Sequence, residues 1–261
     1  MNDARVSIES LTYRDLARTI DHSLLRPELD DAFIEDGCRL AARYDVASVT
    51  VRPTDVARAR RMLDGSGVPV GTVVGFPHGS HLTDTKLFEA RRALADGAAE
   101  VDMVIDIGAL KSGRDDDVRT DIAAVVDVAH AASAIVKVIF ENHYLTDDEK
   151  VRACHASEAG GADFVKTSTG FAASGATHDD LVLMRRSVSP RVRVKAAGGV
   201  RTLDALLAVM ALGVTRVGAT QTAAILDEFV ARKGGSQPTP DADGAPGERA
   251  AAVPSDTSAY R

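Results

Sequence analysis

Lysine is scarce in this chain, and its placement is unusual. The seven lysines are Lys86, Lys111, Lys137, Lys150, Lys166, Lys195 and Lys233, and most surface cation positions go to arginine. Lys137, Lys166 and Lys195 fall inside runs that read as β-strands, where a buried ammonium is costly unless paired. Unlike arginine, a lysine can shed its proton near neutrality and attack a carbonyl. Carboxylates occupy similar runs. In EVDMVID, Val101, Met103 and Ile105 share one face, and Glu100, Asp102, Val104 and Asp106 share the other. In VKVIFE, Lys137, Ile139 and Glu141 oppose Val136, Val138 and Phe140; further on, Arg193 and Lys195 oppose Val192 and Val194. Lys166, in ADFVKTSTG, shares parity with Ala162 and Phe164, so alternation says less there. A structural ion pair explains any one such lysine. Three of them, with Asp102 and Glu141 on neighbouring strands, favour a reactive cluster.

These residues need strands to aim them inward. Strand-like runs are Thr19–His22, Val46–Val51, Val68–Gly75, Glu100–Asp106, Ile135–Glu141, Ala162–Thr167, Arg193–Ala197 and Thr215–Gly218. They alternate with helical patterns at Asp31–Arg43, Thr54–Leu63, Asp84–Asp96, Val118–Ala132, Asp147–Ala159, His178–Val188, Leu203–Leu212 and Thr222–Val230. Eight β-α units predict an α/β fold, a single-domain (β/α)8 TIM barrel over residues 1–233. The competing open doubly wound sheet would carry a G-x-G-x-x-G turn after its first strand, which is missing here. Barrel chemistry belongs at the carboxyl ends of strands, where Lys166, Lys195 and Asp102 are expected. Residues 234–261, rich in Gly, Pro, Ala, Asp and Ser, predict a disordered tail.

Two loops suggest an anion site. AAGGVRT follows the seventh strand and VGATQT the eighth, the positions at which many barrels bind phosphate; Thr169 and Gly170 after the sixth would complete it. Gly198 and Gly199 let backbone approach a ligand closely. His78 and His81, the one close histidine pair, read as solvated loop residues, so no metal is expected. With 261 residues, 45% hydrophobic, 26% charged and net charge −7, the chain has no basic surface for nucleic acid or anionic membranes. No apolar run spans a bilayer, and the start MNDARVSIES does not read as a signal peptide. Cys38 and Cys154 are unpatterned and read as free thiols, so a cytoplasmic location is expected.

The motifs, taken in order, resemble those of the deoxyribose-phosphate aldolase family. The matching blocks are IDHSLLRP (Ile20–Pro27), VGFPHG (Val74–Gly79), EVDMVIDIGALKSG (Glu100–Gly113), KVIFE (Lys137–Glu141), ADFVKTSTGF (Ala162–Phe171) and KAAGGVRT (Lys195–Thr202). The resemblance runs from about residue 12 to 232. It implies a cofactor-free class I aldolase that reversibly cleaves 2-deoxy-D-ribose 5-phosphate to acetaldehyde and D-glyceraldehyde 3-phosphate, in deoxyribose phosphate catabolism. By that resemblance Lys166 is the Schiff-base lysine, and Lys195 and Asp102 form the proton-transfer pair. The resemblance also implies that Gly170, Gly198, Gly199, Val200, Arg201 and Gly218 form the phosphate loops and that Asp21 lies near the site; Thr169 and Thr220 are expected to bind substrate or its phosphate with them, and Lys137 and the near-terminal Tyr260 are expected as accessories. A homodimer is implied, with sugar phosphate and aldehydes as small-molecule partners. Two segments depart from the family pattern: Thr220-Gln221-Thr222 replaces small Ser or Gly residues, and Thr50 stands where a cysteine is usual. Alternatives are another Schiff-base sugar-phosphate aldolase, a transaldolase-like barrel, or a non-catalytic phosphate-binding barrel.

Overall fold

The computed structural model describes residues 6–234. Its strands are β1 (Ile20–Leu24), β2 (Ser48–Val51), β3 (Val70–Val74), β4 (Glu100–Val104), β5 (Ile135–Ile139), β6 (Phe164–Lys166), β7 (Arg193–Ala197) and β8 (Val214–Ala219). They pair in parallel in chain order, and β1 closes on β8, giving the (β/α)8 barrel that the alternation predicts. The helices are α1 (Tyr13–Ala17), α2 (Asp31–Arg43), α3 (Val56–Met62), α4 (Thr83–Ala95), α5 (Ile107–Lys111), α6 (Asp115–Ala131), α7 (Asp147–Ala159), α8 (His178–Arg186), α9 (Leu203–Ala211) and α10 (Thr222–Arg232). Tyr260 and the tail from residue 235 onward lie outside the described residues.

Local chemistry sets the boundaries. Asp30 caps α2 by accepting the Phe33 N–H at 2.9 Å, and Thr146 and Glu149 form a reciprocal capping box on α7. On α2, Ile34, Cys38 and Ala41 recur at helical spacing and are buried against the barrel. The outward strand faces, such as Val49, Val101, Met103, Val138, Val165 and Val217, are fully buried beneath the helices.

Two strand ends differ from the sequence reading. Asp106 is not in β4: it caps the short helix α5, accepting the Ala109 N–H at 2.9 Å. Glu141 leaves β5 with a left-handed backbone, φ 55°. The short helices α1 and α5 carried too few turns to show an apolar period. Among the described residues no helix is long and apolar enough to cross a membrane.

Candidate active site

Strand pairing decides which inward side chains meet. Asp102 lies opposite Lys137 in the β4–β5 ladder, and Lys166 lies opposite Lys195 in the β6–β7 ladder. All four are almost wholly buried, Lys166 being the most open at 3%. Below them Phe164 closes the floor, with the Arg193 guanidinium stacked 4.0 Å from its ring centre.

The charged groups are joined by short contacts. Asp102 Oδ2 accepts from Lys166 Nζ at 2.7 Å and Lys195 Nζ at 2.8 Å, and its Oδ1 from Lys137 Nζ at 2.8 Å. Lys195 also pairs with Asp21 at 2.5 Å, and Lys137 with Glu100 at 2.6 Å. Arg216, from β8, binds Asp21 through Nε at 2.6 Å and Glu100 through Nη2 at 2.7 Å. Burial alone would raise the Asp102 pKa, but its three ammonium neighbours overcome that and hold it well below the usual carboxylate range. Lys137 is pushed the other way: burial opposes its charge, yet Asp102, Asp21 and Glu100 keep it firmly protonated.

Lys166 is the exception. Burial first, and then the neighbouring Lys195 charge, lower its pKa to about 8 against the pull of Asp102. Free amine is therefore available near neutral pH, at the carboxyl end of a barrel strand. Of the causes that lower the Lys166 pKa, desolvation is the largest.

Just above, Glu141 accepts from both the Thr169 backbone N–H, at 3.2 Å, and the Thr169 hydroxyl. Thr169 Oγ1 in turn accepts the Phe171 N–H at 3.0 Å, so its hydroxyl organises the turn after β6. Burial raises the Glu141 pKa.

The expected phosphate loops converge beside β7. Gly170, Gly198 and Gly199 have φ of 88°, 80° and 93°, a backbone that side chains resist. Gly175 packs directly on Gly198: a Cβ at Gly175 would sit 2.4 Å from the Gly198 carbonyl oxygen. The Ala176 N–H donates to the Ala197 and Gly198 carbonyls at 3.0 Å each, tying the two loops together. Val200 is buried, whereas Arg201 and Thr220 are exposed. Gly218 lies within β8, where a Cβ would come 3.7 Å from Lys195 Cε. Asp21 faces Lys195 and Arg216 inside the lumen rather than a loop. An apolar cleft of about 220 Å³ opens at the mouth, lined in part by Leu25, Val73, Phe76 and Phe171. Phe76 and Phe171 meet edge to face at 5.3 Å.

Arg216 and Gly175 escaped the sequence reading. Arg216 sits mid-strand between Thr215 and Val217, and the test applied to lysines, a cation inside a strand, would have found it. Gly175 carries no local signal, because its need for glycine comes from Gly198, 23 residues away. Five of the seven lysines prove buried, since Lys86 pairs with Asp121 at 2.5 Å and Lys150 with Asp180 at 2.6 Å.

The DeoC/LacD family aldolase profile matches residues 16–225. A deoxyribose-phosphate aldolase of Geobacillus sp. (strain WCH70) is 50% identical over 213 residues, covering 82% of this chain and 95% of the relative. One from Rhodopirellula baltica is 48% identical over 216 residues, covering 83% and 90%. Among solved structures, a tetrameric deoxyribose phosphate aldolase from Aeropyrum pernix superposes with a TM-score of 0.79 at 28% identity, covering 85% of this chain and 94% of its own.

Proposed function

The chain belongs to the DeoC/LacD family of aldolases, and from that premise we propose that it reversibly cleaves 2-deoxy-D-ribose 5-phosphate to acetaldehyde and D-glyceraldehyde 3-phosphate through a Schiff base on Lys166. The observation that carries this reading is Lys166 itself: a buried amine with its pKa lowered to about 8, at a strand's carboxyl end, sharing Asp102 Oδ2 with Lys195.

The Lys166 amine attacks C1 of the open-chain sugar. A proton delivered from the Lys195–Asp102 pair lets the carbinolamine hydroxyl leave as water, giving the iminium. Loss of the C3 hydroxyl proton then breaks the C2–C3 bond. The electron pair flows into the iminium to form the enamine, and C3 becomes the aldehyde carbon of glyceraldehyde 3-phosphate. Protonation of the enamine at C2 and hydrolysis release acetaldehyde and free the amine. The loops around Gly170, Gly198, Gly199 and Thr220 hold the phosphate remote from the reacting carbons, so binding there orients the sugar. Such an activity consumes the deoxyribose phosphate released by deoxyribonucleoside breakdown. The chain associates as a homodimer, a reading supported by the exposed Leu82 and Phe88.

Borohydride reduction in the presence of acetaldehyde, followed by peptide mass mapping, tests the assignment. An ethyl group on Lys166 is expected, and an adduct on Lys195 or Lys137 instead would overturn it.

A further inference from the structure

The contacts in the lumen close on themselves. From Arg216 the path runs to Asp21 at 2.6 Å, Lys195 at 2.5 Å, Asp102 at 2.8 Å, Lys137 at 2.8 Å, Glu100 at 2.6 Å and back to Arg216 at 2.7 Å. Cations and anions alternate at every step, three of each, so the ring is electroneutral without Lys166. Lys166 hangs from it by a single bond, to an Asp102 oxygen already shared with Lys195. Lys137, by contrast, has three carboxylates within reach, and Lys195 and Arg216 have two each. The ring's three carboxylates are matched by its own three cations, so a proton on Lys166 adds a charge that the ring does not balance; Glu141, just past β5, is a carboxylate outside the ring that also acts on Lys166.

We infer that Arg216 and Glu100 are positioning residues that govern the protonation of Lys166 by keeping this ring neutral. The inference rests on Lys166 being the Schiff-base amine. The charged groups that act on Lys166 directly are Asp102 from β4, Lys195 from β7, Lys137 from β5 and Glu141 just past its end; Asp21 from β1, Glu100 from β4 and Arg216 from β8 join them through the ring. Arg216 and Glu100 each stand two strands from β6 on opposite sides. They are opposite in sign, and each is ion-paired within the ring. Removing Arg216 leaves the ring at −1 and gives the Lys166 proton a partner. Removing the Glu100 charge leaves the ring at +1 and expels that proton more readily.

The test is the pH dependence of acetaldehyde-dependent trapping by cyanoborohydride, with each adduct mapped by mass spectrometry. Arg216→Gln moves the midpoint to higher pH and Glu100→Gln to lower pH. Each moves it by about one unit, the size expected of one charge two strand spacings (about 10 Å) away at an effective dielectric of about 20. The double variant returns to the wild-type midpoint, and Arg216→Lys, which keeps the charge, stays there even where turnover falls. A purely structural role would slow trapping in both single variants without separating their midpoints. Adducts on Lys166 with unmoved midpoints, or with both midpoints moving the same way, overturn the ring inference. Adducts on another lysine overturn the Schiff-base assignment on which it rests.

Discussion

Lys195 has a slot that admits one kind of cation. Its Nζ lies 2.5 Å from Asp21 and 2.8 Å from Asp102, with no exposed surface. Lys195→Arg keeps the charge but places a wider, permanently protonated group there, which cannot exchange protons near pH 7. Turnover is expected to fall by about 10²–10⁴, the usual contribution of a positioned proton donor, and Asp102→Asn should fall similarly. Near-native kcat in Lys195→Arg would move proton transfer elsewhere. The Lys166 pKa of about 8 gives the sign of the pH profile: below it the amine is increasingly an ammonium, so single-turnover imine formation should slow about tenfold per pH unit. Thr50 bears on durability. It is buried on β2, and Cys38 and Cys154 are buried with thiol pKa values pushed up to about 12, chiefly by desolvation. Thr50 is as fully buried as they are, so the thiol that Thr50→Cys introduces is equally withdrawn from enals formed from acetaldehyde. The variant should survive concentrated acetaldehyde as well as wild type, and several-fold faster inactivation would show that this face of β2 opens to aldehydes.

At the scale of elements, the loop after β6 and the loop after β7 act as one unit through Gly175 and Gly198. Gly198→Ala faces two obstacles: φ of 80°, and a Cβ placed 2.8 Å from the Gly175 Cα. Backbone must shift to relieve that contact, and the cost is about 1–3 kcal/mol of strain. KM for 2-deoxyribose 5-phosphate should rise by about tenfold or more, while activity on unphosphorylated 2-deoxyribose changes little. Equal losses on the two substrates would mean that these loops do not hold the phosphate.

Across the whole molecule, an unbalanced charge at Lys166 opposes folding. Its pKa is lowered in the folded chain, so between about pH 8 and the unfolded value near 10.4 the unfolded state binds more protons, and stability rises with pH there. Below about pH 8 both states are protonated and the full penalty applies. Lys166→Met should therefore unfold several degrees higher than wild type at pH 7, and the gap should narrow at pH 10. Calorimetry at the two pH values checks this, and a variant melting below wild type at pH 7 would show that the Asp102 contact outweighs the desolvation.

The barrel itself was legible in the chain. Period-2 and period-3.6 patterns are local properties, and eight alternations leave few topologies open. Lysine in a strand is likewise a local signal, which is why Lys137, Lys166 and Lys195 stood out, and Asp102 with them. Parity tells which side of a strand a residue faces, but not its depth in the lumen or what lies across from it. Those depend on strand stagger around a closed barrel, which brings Asp102 to Lys195 across 93 residues and Arg216 to Asp21 across 195. An electrostatic environment is a sum over such distant neighbours, and burial weights every term in it. That Lys166 is the one lysine of the three left without a carboxylate of its own was therefore decided only when the barrel closed.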